Sequence, residues 1–411
     1  MSTIPVNSDV RLITLAAEVG LTVGRRGYVF SAGNDRYAVL GEHSGHDLHI
    51  AGGVVGDFGG IKLKHDAGLN AQGSNNITIT STGYIGATEQ GHGILIAGFN
   101  NSIFNSGSIE PANGNGIVVE GQSIIVNAGR IAGIIGIELE NALNLSSLDE
   151  IYNSGIIFGR LTAIVLDERV GPLLTNQGDI VGGSIAISGN DIEDAGRIMN
   201  TGLIQGSQFS IVLDNDGGNP VYGHTIANSG LIIGDISLSE GNDRYDGRGG
   251  VVKGDILGNA GDDLLIGGDD EDLMRGGDGA DDIRGRGGID EIYGDDGDDV
   301  LSGQDGDDVI EGGLGNDTLS GGRGIDLPNG GEGNDVMRGG QGDDEISGDI
   351  GNDLIRGDKG EDELFGNAGD DTVRGGLGDD TIFGGTGKDF LTGDGGNDFL
   401  RGGNQNDRID G

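Results

Sequence analysis

The sequence contains no cysteine, no tryptophan and only 5 prolines, and it has 24 Lys plus Arg against 68 Asp plus Glu. Without cysteine, neither disulfide bonds nor thiolate zinc sites can stabilise the chain. Glycine makes up 89 of 411 residues, which is less than the one third that a collagen-like triple helix requires. The scarcity of proline also excludes that structure. No run of about 18 apolar residues is present, so no transmembrane helix is predicted.

The shortage of basic residues gives the chain a formal net charge of −44. Such a charge repels nucleic acids and anionic membranes and attracts cations, so a nucleic-acid partner is not expected. The glycine content excludes a mainly helical fold, because each Gly in a helix costs ~1 kcal/mol relative to Ala. A disordered acidic chain and a turn-rich, repetitive β-structure remain.

A repeat of nine residues runs through residues 258–410 without insertion or deletion. In all seventeen repeats, position 1 is Gly and position 6 is Asp; position 4 is Gly except at Asp270 and Gln405, and position 8 is aliphatic or Met except at Pro328. Positions 1–6 are predicted to form a turn, in which Gly accepts positive φ. Positions 7–9 are predicted to form a short strand whose position-8 side chain points inward.

This repeat, G-G-x-G-x-D-x-U-x with U a large apolar residue, resembles the calcium-binding nonapeptide of the RTX (haemolysin-type) family. The resemblance implies a parallel β-roll with two repeats per right-handed coil. Stacking then brings the position-6 Asp of each repeat within ~4.8 Å, along the axis, of its counterpart two repeats later. Two carboxylates with loop carbonyls form an all-oxygen cage, which suits Ca²⁺ better than Mg²⁺. The predicted ligands are Asp263, Asp272, Asp281, Asp290, Asp299, Asp308, Asp317, Asp326, Asp335, Asp344, Asp353, Asp362, Asp371, Asp380, Asp389, Asp398 and Asp407.

The number of repeats limits the number of calcium ions. Nine loops on one edge and eight on the other allow at most about 15 inter-loop sites. Residues 258–410 contain 41 acids and 11 bases. Ordering the backbone costs ~1–2 kcal/mol per residue, and the one inward apolar residue of each repeat is too little to offset that cost. We therefore expect this segment to be disordered without calcium. Pro328 is expected to interrupt the ladder, and Asp270 and Gln405 to weaken the repeats of Asp272 and Asp407.

Upstream, a coarser motif, I-x-N-x-G-x-I, recurs every 22 to 28 residues. Its glycines are Gly107, Gly129, Gly155, Gly178, Gly202 and Gly230, with a degenerate copy at Gly83. Short apolar stretches lie between the copies, at 94–96, 117–119, 164–166 and 211–213. This pattern favours a parallel β-helix, in which stacked Ile form the interior and stacked Asn bond one another or the turn backbone; a β-sandwich is the alternative.

Two further segments share one string, at 31–37 and 239–245. Each contains half of a nonapeptide, so Asp35 and Asp243 are candidates for outlying calcium ligands. The alternative is that these segments are caps that close the end of a solenoid.

Candidate catalytic residues are few. His43, His46 and His49 have a spacing that fits neither a strand nor a helix, so surface turns are expected for them, as for His92, rather than a zinc site. Asp149 with Glu150, and Asp167 with Glu168 and Arg169, are the charged groups that a polysaccharide-processing β-helix would need. No nucleophile elbow, zinc-protease motif or phosphate loop is present.

The sequence therefore predicts an all-β protein, with a parallel β-helix followed by an RTX parallel β-roll, in four segments. Residues 1–70 form an N-terminal segment and cap, 71–238 the β-helix, 239–257 an irregular junction with a degenerate repeat, and 258–411 the calcium-binding roll.

We expect a non-enzymatic extracellular protein whose calcium-driven folding serves adhesion, a matrix or a cell surface, with polysaccharide as a possible partner. The alternative is a secreted polysaccharide-modifying enzyme, similar to an epimerase or lyase, in which charges and tyrosines cluster on one face of the β-helix. The first nine residues lack the features of a signal peptide. The resemblance implies export by type I secretion machinery, although such proteins usually continue past the repeats.

Overall fold

The computed structural model describes the whole chain except residues 1, 7–9, 12, 16–18, 32–36, 42–44, 64–73, 99, 141–148, 168–172, 191–195 and 214–222. The described residues form 46 strands and no helix, and the described strand pairings are parallel throughout. The prediction of an all-β parallel solenoid is confirmed, and the β-sandwich alternative is wrong. None of the described residues belongs to a helix that could cross a membrane.

The chain divides into two compact units. The first unit comprises Met1–Asn219 and Gly230–Gly234, and the second comprises Pro220–Ser229 and Asp235–Gly411. The four segments predicted from the sequence were defined by repeat type, and that division stays a prediction.

The first unit contains strands β1 to β24. They are β1 Ser2–Val6, β2 Val10–Arg11, β3 Ile13–Leu15, β4 Val19–Val23, β5 Tyr28–Phe30, β6 Tyr37–Gly41, β7 Asp47–Ile50, β8 Gly53–Gly56, β9 Gly59–Leu63, β10 Asn76–Ile79, β11 Tyr84–Ala87, β12 Ile94–Ala97, β13 Asn101–Asn105, β14 Ser108–Ile109, β15 Ile117–Glu120, β16 Ser123–Asn127, β17 Arg130–Glu140, β18 Glu150–Asn153, β19 Ile156–Asp167, β20 Leu173–Asn176, β21 Asp179–Gly182, β22 Ile185–Asn190, β23 Arg197–Asn200 and β24 Leu203–Leu213.

Each coil of the first unit presents up to three strand segments, which pair with the same segments of the next coil. Ile103 aligns with Ile125, and Ile125 with Ile151, and all three are buried. Since aligned residues of parallel strands point to the same side, the recurring Ile build a continuous interior. The apolar stretches predicted between the motifs lie in β12, β15, β19 and β24.

A buried ladder of asparagines runs along one corner of the first unit. The Nδ2 of Asn105 donates to Oδ1 of Asn127 at 2.8 Å, and the same bond joins Asn127 to Asn153, Asn153 to Asn176 and Asn176 to Asn200, each at 2.8 Å. Each Asn also bonds the backbone of its own Asn-x-Gly turn, as where Gly107 N donates to Oδ1 of Asn105. Both predicted roles of the recurring Asn are therefore present.

The second unit contains strands β25 and β27 to β46, and the division between the units falls inside β26. The strands are β25 Thr225–Asn228, β26 Leu231–Ser237, β27 Arg244–Asp246, β28 Val251–Lys253, β29 Asp255–Ala260, β30 Leu264–Ile266, β31 Leu273–Asp278, β32 Asp282–Gly287, β33 Glu291–Asp296, β34 Val300–Asp305, β35 Val309–Leu314, β36 Thr318–Arg323, β37 Leu327–Glu332, β38 Val336–Gln341, β39 Glu345–Ile350, β40 Leu354–Lys359, β41 Glu363–Ala368, β42 Thr372–Leu377, β43 Thr381–Thr386, β44 Phe390–Gly395, β45 Phe399–Asn404 and β46 Arg408–Asp410.

Within the nonapeptide region, each strand pairs with the strand eighteen residues further on, so one coil holds two repeats, as the resemblance implied. Val300 aligns with Thr318, for example. The position-8 side chains point inward and are buried, as Leu301 and Ile310 illustrate. The predicted three-residue strand was too short: most strands span six residues, from position 7 to position 3 of the next repeat. The extra length arises because positions 2 and 3 also align with the next coil, as Gln304 does with Gly322.

The tight turns at positions 4 to 6 depend on glycine at position 4. Gly306 has a φ of +154°, and a Cβ added there would lie 1.6 Å from the carbonyl oxygen of Gly288. Any side chain at this position would therefore push adjacent coils apart.

Pro328 affects the ladder on one side only. Its strand, β37, pairs fully with β35, including Ile310 with Pro328, but its pairing with β39 begins only at Asn329. Because proline has no N–H to donate, it cannot complete both ladders. The expected interruption is thus present but local.

Candidate metal centre

The position-6 aspartates form two ladders, one along each edge of the second unit. The backbone N–H of each Asp donates to Oδ1 of the Asp two repeats later, at distances between 2.7 and 3.2 Å. Fifteen such bonds link the seventeen predicted residues, from Asp263 to Asp407 on one edge and from Asp272 to Asp398 on the other. The structure therefore brings together the residues whose proximity the resemblance to the RTX family implied.

The second carboxylate oxygen of these residues has a different environment. Among the described residues, Oδ2 is buried and has no hydrogen-bond partner in fourteen of the seventeen: Asp263, Asp281, Asp290, Asp299, Asp308, Asp317, Asp326, Asp335, Asp344, Asp353, Asp362, Asp371, Asp380 and Asp389. A buried, unpaired carboxylate oxygen is costly and rare in proteins. Its recurrence in fourteen repeats is what a row of cation sites requires, because a cation would pair with these oxygens.

Each Oδ2 faces a small space beside the position-1 glycine of its own repeat. A Cβ added at Gly312 would lie 2.4 Å from Oδ2 of Asp317 and 2.5 Å from the carbonyl oxygen of Gly330. A Cβ added at Gly258 would meet Asp263 and Gly276 at 2.3 and 2.5 Å in the same way. The invariant Gly at position 1 thus removes a side chain that would clash with the carboxylate oxygen and, in these two repeats, with a carbonyl oxygen of the next coil.

Burial raises the pKa of these aspartates well above the ordinary value. The pKa of Asp263 rises to about 8, and burial raises the pKa of Asp317 and Asp353 to about 7. The N–H bond to Oδ1 opposes the rise, and the negative charge of neighbouring aspartates in the ladder adds to it. Without a cation, the folded ladder therefore disfavours the ionised carboxylates that it contains.

The donors around these spaces are oxygens, and no three His, Asp or Glu side chains converge in the described part of the chain. A site here would combine ladder carboxylates with backbone carbonyls, as the sequence predicted. Oxygen ligands in a flexible loop suit Ca²⁺, whereas zinc prefers nitrogen and sulfur ligands and Mg²⁺ prefers a rigid octahedron. The residues present therefore fit calcium.

Three predicted ligands deviate from this arrangement. Oδ2 of Asp272 accepts a hydrogen bond from Gly268 N at 2.6 Å, and Asp398 and Asp407, near the end of the chain, are less buried than the others. The deviation at Asp272 follows from Asp270, which replaces Gly at position 4 and does not adopt the positive φ found there in most other repeats. Gln405, the other replacement, does adopt a φ of 77°.

Asp243, the candidate outlying ligand, extends one ladder by a coil. Its N–H donates to Oδ1 of Asp263 at 2.7 Å. However, Oδ1 of Asp243 accepts from His224 N, and its Oδ2 accepts from Ser239 N at 3.1 Å. Its carboxylate thus lacks the unpaired oxygen of the repeats, and its binding of calcium stays a prediction. Asp35 lies outside the described residues.

The structure places the histidines in different settings. The prediction of a surface turn is wrong for His46, which is fully buried. Its backbone N–H donates to Oδ1 of the buried Asn75 at 3.2 Å. His49 is exposed on β7, and His92 lies in a non-strand segment, while His43 lies outside the described residues.

Of the carboxylates suggested as catalytic candidates, the described side chains of Asp149 and Glu150 have different hydrogen-bond partners. Asp149 is buried, and its Oδ1 accepts from Ser123 N, whereas Glu150 accepts from the hydroxyl of Tyr152 at 2.9 Å. Asp167 ends β19, and Glu168 and Arg169 lie outside the described residues.

One group of side chains was missed by sequence reasoning. Tyr84, Glu110, Arg130, Phe158 and Arg160 line a groove on the first unit. Tyr84, Glu110, Arg130 and Phe158 follow one another at intervals of 20 to 28 residues, on coils of unequal length, so no fixed period marks the group. The sequence offered one signal for this group, which is that Tyr84, Arg130 and Phe158 lie within or next to Gly-x-Ile motifs.

The fold and the ladder together define a parallel β-solenoid that carries calcium-binding repeats. A family model of the RTX calcium-binding nonapeptide repeat matches residues 257–292, 293–328, 329–364, 347–382, 356–391 and 383–411. Residues 257–411 of the chain are therefore RTX calcium-binding nonapeptide repeats. No curated protein matches the chain.

Proposed function

We propose that the position-6 aspartates bind calcium between adjacent coils, and that this binding drives the folding of a non-enzymatic extracellular protein. The observation that carries the proposal is the series of fourteen buried Oδ2 atoms without a partner. Each lies beside the space at the position-1 glycine of its own repeat, which in the repeats of Asp263 and Asp317 also receives a carbonyl oxygen of the next coil. A divalent cation in that space would pair with these oxygens and cancel their charge.

The energetics support coupling between calcium binding and folding. Residues 258–410 carry a net charge of −30, which opposes a compact state. A site held at ten times its dissociation constant adds ~1.4 kcal/mol to the stability of the folded state. About 15 such sites would add ~20 kcal/mol, which exceeds the whole stability of most domains.

An extracellular location fits this dependence on calcium. Calcium sites of extracellular modules are weak, with dissociation constants of ~10⁻⁴ to 10⁻³ M. A chain with such sites would stay unfolded where calcium is scarce and fold where it is abundant. Export as an unfolded chain by type I secretion machinery and a role at a cell surface or in a matrix are part of this proposal.

A polysaccharide-modifying enzyme remains the second candidate, because of one observation. Tyr84, Glu110 and Arg130 do cluster on one face of the first unit. In this cluster the carboxylate of Glu110 accepts from Ser108 Oγ at 2.6 Å and pairs with Arg130 Nε at 2.9 Å. A carboxylate held in this way is suited to positioning a ligand, so we favour binding over catalysis.

The proposal is tested by measuring calcium bound per chain at equilibrium for Asp317→Asn and for Asp278→Asn. Asp317 has a buried, unpaired Oδ2, and Asp278 is an exposed aspartate of the same unit. We expect Asp317→Asn to lose one or two of the bound ions and Asp278→Asn to lose none. Equal stoichiometry in both variants, or no saturable binding by the unmodified chain at millimolar calcium, would refute the proposal.

A further inference from the structure

A concave groove of about 560 Å³ lies on the outer face of the first unit, and no described candidate calcium ligand lines it. Its lining includes two aromatic rings, Tyr84 and Phe158, and three charged side chains, Glu110, Arg130 and Arg160. These residues come from four successive coils, which spread them over ~14 Å along the solenoid axis.

The strand register sets the aromatic residues apart from each other along the groove. Tyr84 aligns with Ser108, and Ser108 with Arg130, across adjacent coils. Phe158 lies one coil beyond Arg130, since it aligns with Ala132 of the same strand. The two rings therefore lie towards opposite ends of the groove, and the charged residues lie between and beside them.

The ring of Tyr84 is held against the sheet. A Cβ added at Gly86 would lie 2.7 Å from its hydroxyl oxygen and 2.9 to 3.0 Å from two of its ring carbons. The hydroxyl donates to the carbonyl oxygen of Glu110 at 3.1 Å. Because Gly86 has no side chain, the ring lies across it in a fixed position, as a stacking surface requires.

The charged residues are also held in place by neighbours. Arg130 Nε lies 2.9 Å from Oε1 of Glu110, and the Arg130 guanidinium lies 5.7 Å from the centre of the Phe158 ring. Arg160 donates to the carbonyl oxygen of Ala112 at 3.0 Å. A guanidinium has five N–H donors, so both arginines keep donors for a ligand.

We propose that this groove binds an oligosaccharide that carries carboxylate groups. Aromatic rings pack against the apolar faces of sugar rings, and polar side chains between them pair with hydroxyl groups. Arginine binds carboxylates through two parallel hydrogen bonds. A peptide added as an extra strand does not fit, because the strands of the groove are already paired with their neighbours.

The chain's charge narrows the choice of ligand. A net charge of −44 repels dense polyanions such as nucleic acids. The groove is lined by two arginines and one glutamate, so its charged lining residues carry a net positive charge. This charge favours the binding of a ligand with few, well-separated carboxylates. The inference does not depend on calcium binding by the repeats, because the groove lies wholly in the first unit.

The test measures the binding of a trimer of galacturonic acid, and of its methyl ester, to the full-length chain in saturating calcium. Phe158→Ala and Arg130→Gln remove a ring and a guanidinium from the groove. Phe104→Ala and Arg197→Gln are matched controls, since both residues are exposed on the other sheet of the same unit. Circular dichroism of every variant checks that the fold is retained.

We expect the acid trimer to bind the unmodified chain and the two control variants alike, and to bind each groove variant ~tenfold more weakly or worse. The methyl ester, which lacks the charge, should bind weakly to every variant. Unchanged affinity in Arg130→Gln and Phe158→Ala, or no binding of the trimer at millimolar concentration, would overturn the proposal. Equal affinity for the acid trimer and its methyl ester would overturn the claim that the groove recognises carboxylate groups.

Discussion

The backbone N–H of Asp317 donates to Oδ1 of Asp335, eighteen residues further along the chain, at 2.8 Å. Oδ2 of Asp335 is buried and has no hydrogen-bond partner among the described residues. One oxygen of the carboxylate therefore holds two coils in register, and the other is available to a cation. If the proposed function is correct, the same side chain links the register of the roll to its ion binding.

The position-1 glycines should be essential for ion binding. A Cβ added at Gly303 would lie 2.0 Å from Oδ2 of Asp308 and 2.6 Å from its carboxyl carbon. We expect Gly303→Ala to abolish calcium binding at that loop and to destabilise the roll by ~1–3 kcal/mol, as overpacked substitutions do. Calcium stoichiometry and the thermal midpoint in calcium are the measurements.

Gly287→Ala provides the control for this substitution. Gly287 lies in the same roll, but the nearest atom to an added Cβ is 3.7 Å away. We expect this variant to bind as many ions as the unmodified chain. Equal effects of the two substitutions would mean that the space beside Gly303 has no special role.

The pH dependence of folding should reverse sign when calcium is removed. In the metal-free fold, burial raises the pKa of Asp299 to about 6, of Asp317 to about 7 and of Asp263 to about 8, from an ordinary 3.8. The folded state then binds more protons than the unfolded state, so this contribution to stability is fully present below about pH 4 and is lost as the pH rises through 6 to 8.

In chelator, lowering the pH from 8 to 4 should therefore increase the β-structure of the repeats. In calcium the trend should be opposite, because protons compete with the ion for the same carboxylates. Far-UV circular dichroism across this range, with and without calcium, tests both statements. A metal-free chain that gains β-structure on going from pH 4 to pH 8 would contradict the assigned burial of the aspartates.

The asparagine ladder should stabilise the first unit independently of calcium. Asn153 accepts from Asn127 and donates to Asn176, each at 2.8 Å. We expect Asn153→Ala to cost ~2–3 kcal/mol, because it leaves buried polar partners unpaired. Ser106→Ala, at the exposed middle position of the Asn105-Ser106-Gly107 motif, should stay within ~0.5 kcal/mol of the unmodified chain. The free energy of unfolding of the first unit, measured with denaturant, compares the two variants. Equal values for Asn153→Ala and Ser106→Ala would show that the ladder contributes little.

Much of the fold follows from periodicity. The fixed phase of Asp and Gly in the nonapeptides predicts repeated turns and short strands, and the resemblance carried by that phase implies parallel coils. The Asn-x-Gly motif predicts the buried ladder from Asn105 to Asn200. Each of these residues makes the same contact in every coil, so its spacing in the sequence reflects its spacing in space. The aspartates that we propose as calcium ligands could be named for the same reason.

Other features depend on atoms that a repeat pattern does not specify. The sequence does not reveal that Oδ1 bonds the backbone while Oδ2 remains unpaired, or that Asp270 redirects its loop so that Gly268 N bonds Asp272. It also gives no reason to expect a φ of 84° at Arg286, where the coil geometry overrides the preference of a non-glycine residue. The groove of Tyr84 and Arg130 occurs once, so no repetition could indicate it.

Residue-resolved hydrogen exchange of the full-length chain tests the central claim most directly. Backbone amides of residues 258–410 would be followed in calcium, in magnesium and in chelator, with the first unit as an internal reference. We predict strong protection of these amides in calcium alone, and exchange at unfolded rates in magnesium or chelator, while the Asn105 to Asn200 coils stay protected throughout. Equal protection of the repeats in chelator and in calcium would contradict the account.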